Sequence, residues 1–436
     1  LQKLLAETAK IMVEVHFLRE NADLAAKGLR KRGIENAEKL IEEIVDFDNQ
    51  RKNLQSERDE LLHQINKASK EIGILYQKGE KDEADERRSL VGRLKEESAQ
   101  VEDRFEKVSD QLRNCLLDLP NIPHPSVPAG SSEEDNEVVR EKMDGLREKR
   151  EGDLPHWELM SEFDIVDMAL GAKITGSGFP VFKGKGAKLQ RALVQFFLDR
   201  AADAGCLEIA PPILVNSASA TGTGQLPDKE GQMYYVQKDD LYLIPTSEVP
   251  VTNIFRDDIL KREQLPVKFT AFTPCFRREA GSYGADVKGL NRVHQFDKVE
   301  MVVFAKPENS YQMLDWMVEH VASLLDDLQL PYRILRLCGG DLGMASALTY
   351  DFEVFSVTQD RWLEVSSVSN FETYQSNRMK IRYRTENGKT QLLHTLNGSV
   401  LALPRIIAAI LENYQNDGQI EIPAVLKTYT GFECIK

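Results

Sequence analysis

The sequence predicts an α+β protein, a long antiparallel helical hairpin followed by a domain built on an antiparallel sheet flanked by helices. Three observations predict it. Apolar residues recur in steps of three and four through most of residues 36–119. A proline-rich stretch, "LPNIPHPSVPAG", then breaks that pattern. Beyond residue 150 come strand-like runs with no regular crossover helices between them, and strands joined without crossovers pair antiparallel.

In the first arm the apolar seam runs through Ile44, Phe47, Arg51, Leu54, Arg58, Leu61, Ile65, Ala68, Ile72 and Leu75. The arginines at two of these ten positions weaken it locally. "KGEKDE" at 78–83 interrupts the pattern with Gly79. The second seam runs through Val91, Leu94, Ser98, Val101, Phe105, Val108, Leu112, Cys115 and Leu119, and Pro120 ends it. Two heptad segments about a short turn predict a coiled-coil hairpin. At 1.5 Å per residue each arm reaches roughly 60 Å. Such a rod cannot be the core of an enzyme and must reach for something.

Four prolines and a polar tail make "LPNIPHPSVPAGSSEEDNEVV" a linker. The expected divisions are 1–119, a linker over 120–150, and a second domain over 151–436. The start, "LQKLLAETAKI", lacks a charged-then-apolar leader pattern and reads as an extension upstream of Met12. In the second domain a helix near 187–203 places Leu189, Leu193, Phe196 and Phe197 on one face. "LEIAPPILV" reads as a strand broken by Pro211 and Pro212. "DLYLIP", "FTAFTPCF", "RVHQFDKVEMVVF", "YDFEVFSV", "RWLEVSSVSNF" and "KIRYR" read as further strands. "FKGKGAKLQRA" (182–192) lacks the spacing of a phosphate-binding loop and reads as a loop leading into a helix.

The composition sets limits on function. With 436 residues, 42% apolar and 29% charged, the chain can bury a sizeable core in two or three domains. A net charge of −14 excludes a general polyanion binder, so any nucleic-acid contact must come from a local basic surface. Five scattered cysteines with no Cys-x-x-Cys or Cys/His spacing argue against both a disulfide framework and zinc. They suit a reducing cytoplasm. No apolar run approaches the roughly 18 residues a membrane span needs.

One stretch carries chemistry, "FRREAGSYGADVKGLNRVHQFDKVEMV" from Phe276 to Val302. His294, Phe296, Lys298 and Glu300 fall two apart, the spacing of one strand face, with Val293, Val299 and Met301 on the other. Arg277 and Glu279 repeat that strand spacing. An aromatic ring in a row of charges suits the floor of a nucleotide site better than a solvated face. Taken alone, Arg277 and Glu279 read equally as a surface ion pair, and Phe296 as a core residue. "PTSE" at 245–248 reads equally as a helix N-cap. The seven histidines form no triad with a serine nucleophile.

The succession of a long arm, "PTSEVP", "FRREAGS", "GLNRVHQFDKVE", "LEVSSVSNFETYQSNRM" and "TLNGSVLALPR" resembles the bacterial type of seryl-tRNA synthetase, a class II aminoacyl-tRNA synthetase family, over nearly the whole chain. The resemblance implies a class II catalytic domain over 151–436 and an N-terminal tRNA-binding domain. It implies ATP binding by Arg277, Arg278, Glu279, Val293 through its backbone, Phe296 under the adenine, Glu364, Val365, Ser366, Ser367 and Arg405. Arg277 would hold the α-phosphate and Arg405 the γ-phosphate, as the catalytic arginines. Thr246, Ser247, Glu248, Glu300 and Ser399 would bind serine, and Glu364 and Ser367 would ligate the Mg²⁺ that accompanies ATP. Because the serine carboxylate is already ionised at neutral pH, no general base is needed.

The implied partners are L-serine, ATP, tRNA(Ser) with tRNA(Sec) as a further candidate, and a second copy of the chain packed through residues near 187–215. Lys67, Lys70, Lys78, Lys81, Arg87, Arg88 and Arg93 are candidate tRNA contacts, and each taken singly reads as a solvated flank of the coiled coil. The sequence departs from the common family pattern at Arg278, Val400 and Pro404. Val400, β-branched beside the substrate loop, puts the local packing in doubt. Two other readings stand beside this one. A carrier-charging relative would lack the long arm, and an inactive docking homologue would have lost Arg277, Glu279 or Arg405.

Overall fold

The computed structural model describes residues 15–279 and 288–436. The proposed extension at residues 1–11 and the centre of the 276–302 stretch lie outside the described residues. The chain divides into two compact units. One comprises the residues up to Arg30 and Ile34–Pro120, the other Lys31–Gly33 and Asn121–Lys436.

In the first unit, short helices α1 (Val15–Glu20) and α2 (Ala22–Lys31) precede the arms α3 (Ala37–Lys78) and α4 (Lys81–Asp118). Gly79, at φ +82, caps α3 in the left-handed conformation that glycine adopts without strain. Leu54, Leu61, Leu94, Val101 and Phe105 form the shared seam. The seam departs from the expected positions at two steps: Leu116 rather than Cys115 is buried, and Asp48 rather than Phe47. Arg19, Arg51 and Lys52 all close on its carboxylate, at 2.9, 3.0 and 2.7 Å, and so offset its burial. Arg58 is tolerated in the seam because its guanidinium lies 4.6 Å from the Phe105 ring centroid and within 3.4 Å of Glu102.

The second unit is built on eight strands: β1 (Glu137–Lys142), β2 (Leu207–Glu208), β3 (Val267–Phe276), β4 (Gln295–Ala305), β5 (Tyr332–Arg336), β6 (Leu348–Ser356), β7 (Arg361–Asn370) and β8 (His394–Ala402). Their order is β1-β5-β6-β7-β8-β4-β3-β2. Every pairing is antiparallel except that of β2 with β3. β1 falls inside the stretch expected to be linker; backbone pairing with β5 draws 137–142 into the sheet edge.

Helices α6 (Gly184–Asp203), α8 (Ser310–Asp327) and α10 (Leu403–Asn413) pack on one face over Val299, Met301, Phe352, Val368 and Leu396. Helix α6 starts at Gly184, so most of "FKGKGAKLQRA" is helix rather than loop. Pro211 and Pro212 do interrupt "LEIAPPILV", between Glu208 and Leu214. Three shorter helices, α5 (His156–Glu162), α7 (Glu248–Thr252) and α9 (Tyr374–Met379), border the functional residues.

Candidate functional site

The row predicted on β4 is present, and burial deepens along it. Phe296 is half-buried, whereas Lys298 and Glu300 are buried. They pair with each other at 2.7 Å. The segment Thr246–Glu248, entering α7, covers them. The Glu300 Oε2 atom accepts hydrogen bonds from Thr246 Oγ1, from Ser247 Oγ at 3.1 Å and from the Glu248 amide at 3.0 Å. On the other side, Asn397 Nδ2 and Ser399 Oγ approach Oε1 at 3.4 and 3.5 Å. Ser399 stands directly across from Glu300 in the β8–β4 ladder. Ser247 sits at the N-cap position of α7, yet its hydroxyl turns to Glu300 rather than to the helix.

Glu248 is the second buried acid. Gln375 Nε2, on α9, donates to it at 2.5 Å and Asn397 Nδ2 at 3.0 Å. Burial, reinforced by the charge of Glu300, pushes the Glu248 carboxyl up to about 7. Burial also opposes ionisation of Glu300, but the Lys298 ammonium and the donors from Thr246 and the Glu248 amide hold it below the usual carboxylate range. The cluster therefore contains two carboxylates and one ammonium. One further cation would balance it, and the surrounding hydroxyls and amides suit a small polar molecule.

Beside this cluster lies a cavity of about 180 Å³. Arg277, Glu279, Val293, Phe296, Glu364, Val365, Ser366, Ser399 and Arg405 all line it, as does Lys298. The Arg277 guanidinium is 5.4 Å from the Phe296 ring centroid. Arg405 is braced by the Asn291 carbonyl at 3.0 Å and the Glu364 carbonyl at 2.6 Å. The expected strand spacing of Arg277 and Glu279 is not realised. β3 ends at Phe276, and the Arg277 and Arg278 amides bond to the carbonyls of His294 and Gln232. Glu279 takes φ +50 and pairs with Arg292 at 3.0 Å. Arg278 does not join the cavity lining; it donates to the Met233 carbonyl at 3.1 Å and stacks on Tyr234.

Two bulges arrange the remaining residues. Across β7 and β6, Glu364 stands opposite Glu353 and Ser367 opposite Asp351, with Ser366 opposite Phe352. Val365 is thus an extra residue, and Glu364 and Ser367 share one face although they are three apart. The Oδ1 atom of Asp351 is buried there without a hydrogen-bond partner. Ser366 instead donates to the Ser399 carbonyl at 2.6 Å. In β8 an extra residue falls between Ser399 and Ala402, and Leu401 has φ +70. A left-handed leucine is a sterically unfavourable conformation of the kind that collects at functional sites. The doubt over packing near Val400 is resolved: its side chain is fully buried in the core. Pro404 occupies the first turn of α10, where its missing N–H costs no hydrogen bond.

Sequence reasoning did not assign Lys298, Asn397, Gln375 or Asp351 to the site. The signal for Lys298 was present, since it lies between Phe296 and Glu300 in the same alternating row. The other three are brought in by α9 and by strand register, which no local pattern reveals.

A model of the "Seryl-tRNA synthetase N-terminal domain" matches residues 12–123, and one of the "tRNA synthetase class II core domain (G, H, P, S and T)" matches residues 234–414. The serine–tRNA ligase of Salinibacter ruber is 48% identical over 97% of this chain and 98% of its own length. That of Methylacidiphilum infernorum is 47% identical over 96% of this chain and 99% of its own. Among solved structures, seryl-tRNA synthetase from Pyrococcus horikoshii complexed with ATP superimposes with a TM-score of 0.88 at 35% identity, covering 97% of this chain and 99% of that one. The cytoplasmic serine–tRNA ligase of Naegleria fowleri in complex with AMP gives 0.83 at 25% identity, over 98% and 99%. With relatives this similar along nearly its whole length, the chain belongs to the seryl-tRNA synthetase family of class II aminoacyl-tRNA synthetases.

Proposed function

We propose that this protein joins L-serine to ATP, giving seryl-adenylate and pyrophosphate, and then transfers the seryl group to the 3′ end of tRNA(Ser). The observation that carries this reading is the union of two compartments along β4. A cluster with two carboxyl groups and one ammonium, at Glu248, Glu300 and Lys298, adjoins a cavity walled by Arg277, Phe296 and Arg405. The first suits an amino acid's ammonium and a side-chain hydroxyl, with Thr246, Ser247, Asn397 and Ser399 as further contacts. The second suits a nucleotide. Phe296 offers a stacking face, and the two arginines stabilise charge at the phosphates where the serine carboxylate attacks. Holding both substrates together supplies most of the remaining rate.

Glu364 and Ser367, with Asp351 beside them, present the hard oxygen donors that Mg²⁺ prefers, and the orphaned Asp351 oxygen fits a cation nearby. Bound with ATP, the ion would neutralise phosphate charge. Lys67, Lys70, Lys78, Lys81, Arg87, Arg88 and Arg93 are exposed on the arm and suit a polyanion. Leu207 and Leu214, 62% and 39% exposed on the 187–215 segment, give a second copy an apolar surface to cover. The homodimer and the cytoplasmic location follow from the family reading; no helix among the described residues is long and apolar enough to cross a membrane.

Serine-dependent ATP–pyrophosphate exchange, followed by charging of tRNA(Ser), tests the activity. Glu300→Gln should raise the serine KM by about 5- to 150-fold, on a loss of about 1–3 kcal/mol, and leave the ATP KM within a few-fold. Glutamine is the useful replacement because alanine would strand buried Lys298. A change confined to the ATP KM would remove Glu300 from the serine site.

Serine binding should also depend on pH through Glu248. Below about 7 its carboxyl is protonated, and a bound ammonium favours the ionised form. Binding should therefore release protons, and serine affinity should rise as pH increases through about 7. Calorimetric titration in two buffers of different ionisation enthalpy measures this. Binding without proton release just below neutrality would contradict the assignment.

A further inference from the structure

His156, the first residue of α5, and Glu412, in the last turn of α10, are both completely buried. A carboxylate at a helix C-terminus is electrostatically misplaced, so Glu412 must be held by specific donors. The His156 backbone amide and ring Nδ1 meet Oε1 at 3.0 and 2.7 Å, and Gln359 Nε2 meets it at 2.9 Å. Ser356 Oγ donates to Oε2. Burial opposes ionisation, yet His156 and Ser356 hold the Glu412 carboxyl below its ordinary range. The other ring nitrogen, Nε2, accepts the Leu290 amide at 3.0 Å. Nε2 thus carries no proton, and the Nδ1 proton points to Glu412.

This arrangement leads to the proposed ATP cavity. Gln359 Oε1 accepts from Asn291 Nδ2 at 3.2 Å, so Glu412 grips residues 290 and 291 from two sides, once through His156 and once through Gln359. The carbonyl of Asn291 then accepts Nε of Arg405 at 3.0 Å. The fit at His156 is tight. A Cβ on Gly289, which has φ +62, would lie 2.3 Å from His156 Nε2.

We propose that the buried His156–Glu412 pair is a positioning element for Arg405, acting through the segment Leu290–Asn291. The proposal rests on the reading of Arg405 as a phosphate-binding residue. Neither His156 nor Glu412 lines the cavity. Their task is to fix the carbonyl that aims the guanidinium, which is oriented before ATP arrives.

His156→Asn keeps a donor near Glu412 but cannot reach the Leu290 amide. It should lower serine-dependent exchange by roughly 10- to 100-fold, the scale of a small misplacement at a reacting centre. The loss should appear in kcat and the ATP KM, with the serine KM unchanged. His156→Gln, whose longer amide can accept from Leu290, should recover most of the activity. Gln359→Ala, at a half-buried site less critical to folding, should loosen the same peptide and lower exchange in the same pattern. In an Arg405→Ala background none of these changes should add a further loss.

Arg405→Ala with normal exchange would overturn the reading of Arg405 itself. Impaired Arg405→Ala with losses that multiply on adding His156→Asn or Gln359→Ala would overturn the positioning role alone. So would equal damage to the two KM values in folded variants. Should His156→Asn fail to fold by its thermal melt, the Gln359→Ala comparison decides the question on the same criteria.

Discussion

Arg277→Ala should lower serine-dependent ATP–pyrophosphate exchange by about 10²–10³-fold, the usual loss when one preorganised charge-stabilising group is removed. The expectation rests on where the side chain lies. Arg277 follows the last residue of β3 and lines the cavity, with its guanidinium 5.4 Å from the centroid of the Phe296 ring proposed to stack on adenine. Its backbone amide is secured by the His294 carbonyl at 3.0 Å, so truncating the side chain leaves the local backbone in place. The group is only half-buried and belongs to no apolar cluster. The thermal midpoint should therefore stay within a few degrees, as for a site substitution costing less than about 1 kcal/mol. Arginine to lysine should recover little, because a point charge does not reproduce a planar fork on phosphate oxygens. Near-normal exchange by a folded Arg277→Ala protein would sink the assignment.

Replacing residues 40–115 by a short Gly/Ser linker should separate the two half-reactions. The arms pack on each other through Leu54, Leu61, Leu94, Val101 and Phe105. In an antiparallel hairpin the two cut ends are neighbours, so a short linker can join them. Arg277 and Arg405, proposed as the catalytic arginines, lie in the second compact unit with the rest of the proposed site. Adenylate formation should thus remain within about tenfold, an allowance of ~1.4 kcal/mol for lost support. Charging of tRNA(Ser) should fall by far more. The whole chain carries −14, so little general attraction for a polyanion survives removal of the exposed lysines and arginines of the arm. Both activities should be measured on one folded preparation, together with the salt dependence of charging by the parent protein. Normal charging by the truncated protein would remove the arm's role in tRNA recognition.

The arm was the most legible part of the sequence. Gly79 and Pro120 mark its turn and its end because a left-handed cap and a missing N–H act within a few residues. One misread step, Phe47 for Asp48, came from treating burial as a property of apolar residues alone. Asp48 is buried because Arg19, some thirty residues away in sequence, completes its ion pairs along with Arg51 and Lys52. The same limit applied to the 137–142 stretch. Nothing in "EVVREK" distinguishes a linker from an edge strand until β5 is there to pair with it.

In the site, the alternation of Phe296, Lys298 and Glu300 and the residue types of "FRRE", "TSE" and "PR" were readable from sequence alone, whereas the roles proposed for the last three came only from the family resemblance. These signals are local: side-chain type, and a period set by the backbone. Tertiary structure decided which of these residues meet, and in what electrical state. Lys298 and Glu300 read as members of a polar row, and it is the Thr246–Glu248 segment closing over them that makes them a buried ion pair beside a second acid. Glu364 and Ser367, three apart, belong on opposite faces of a regular strand; a single extra residue at Val365 places them together. Register, bulges and burial depend on partners far away along the chain. A bulge or an elevated carboxyl pKa therefore exists only once the sheet has assembled around it.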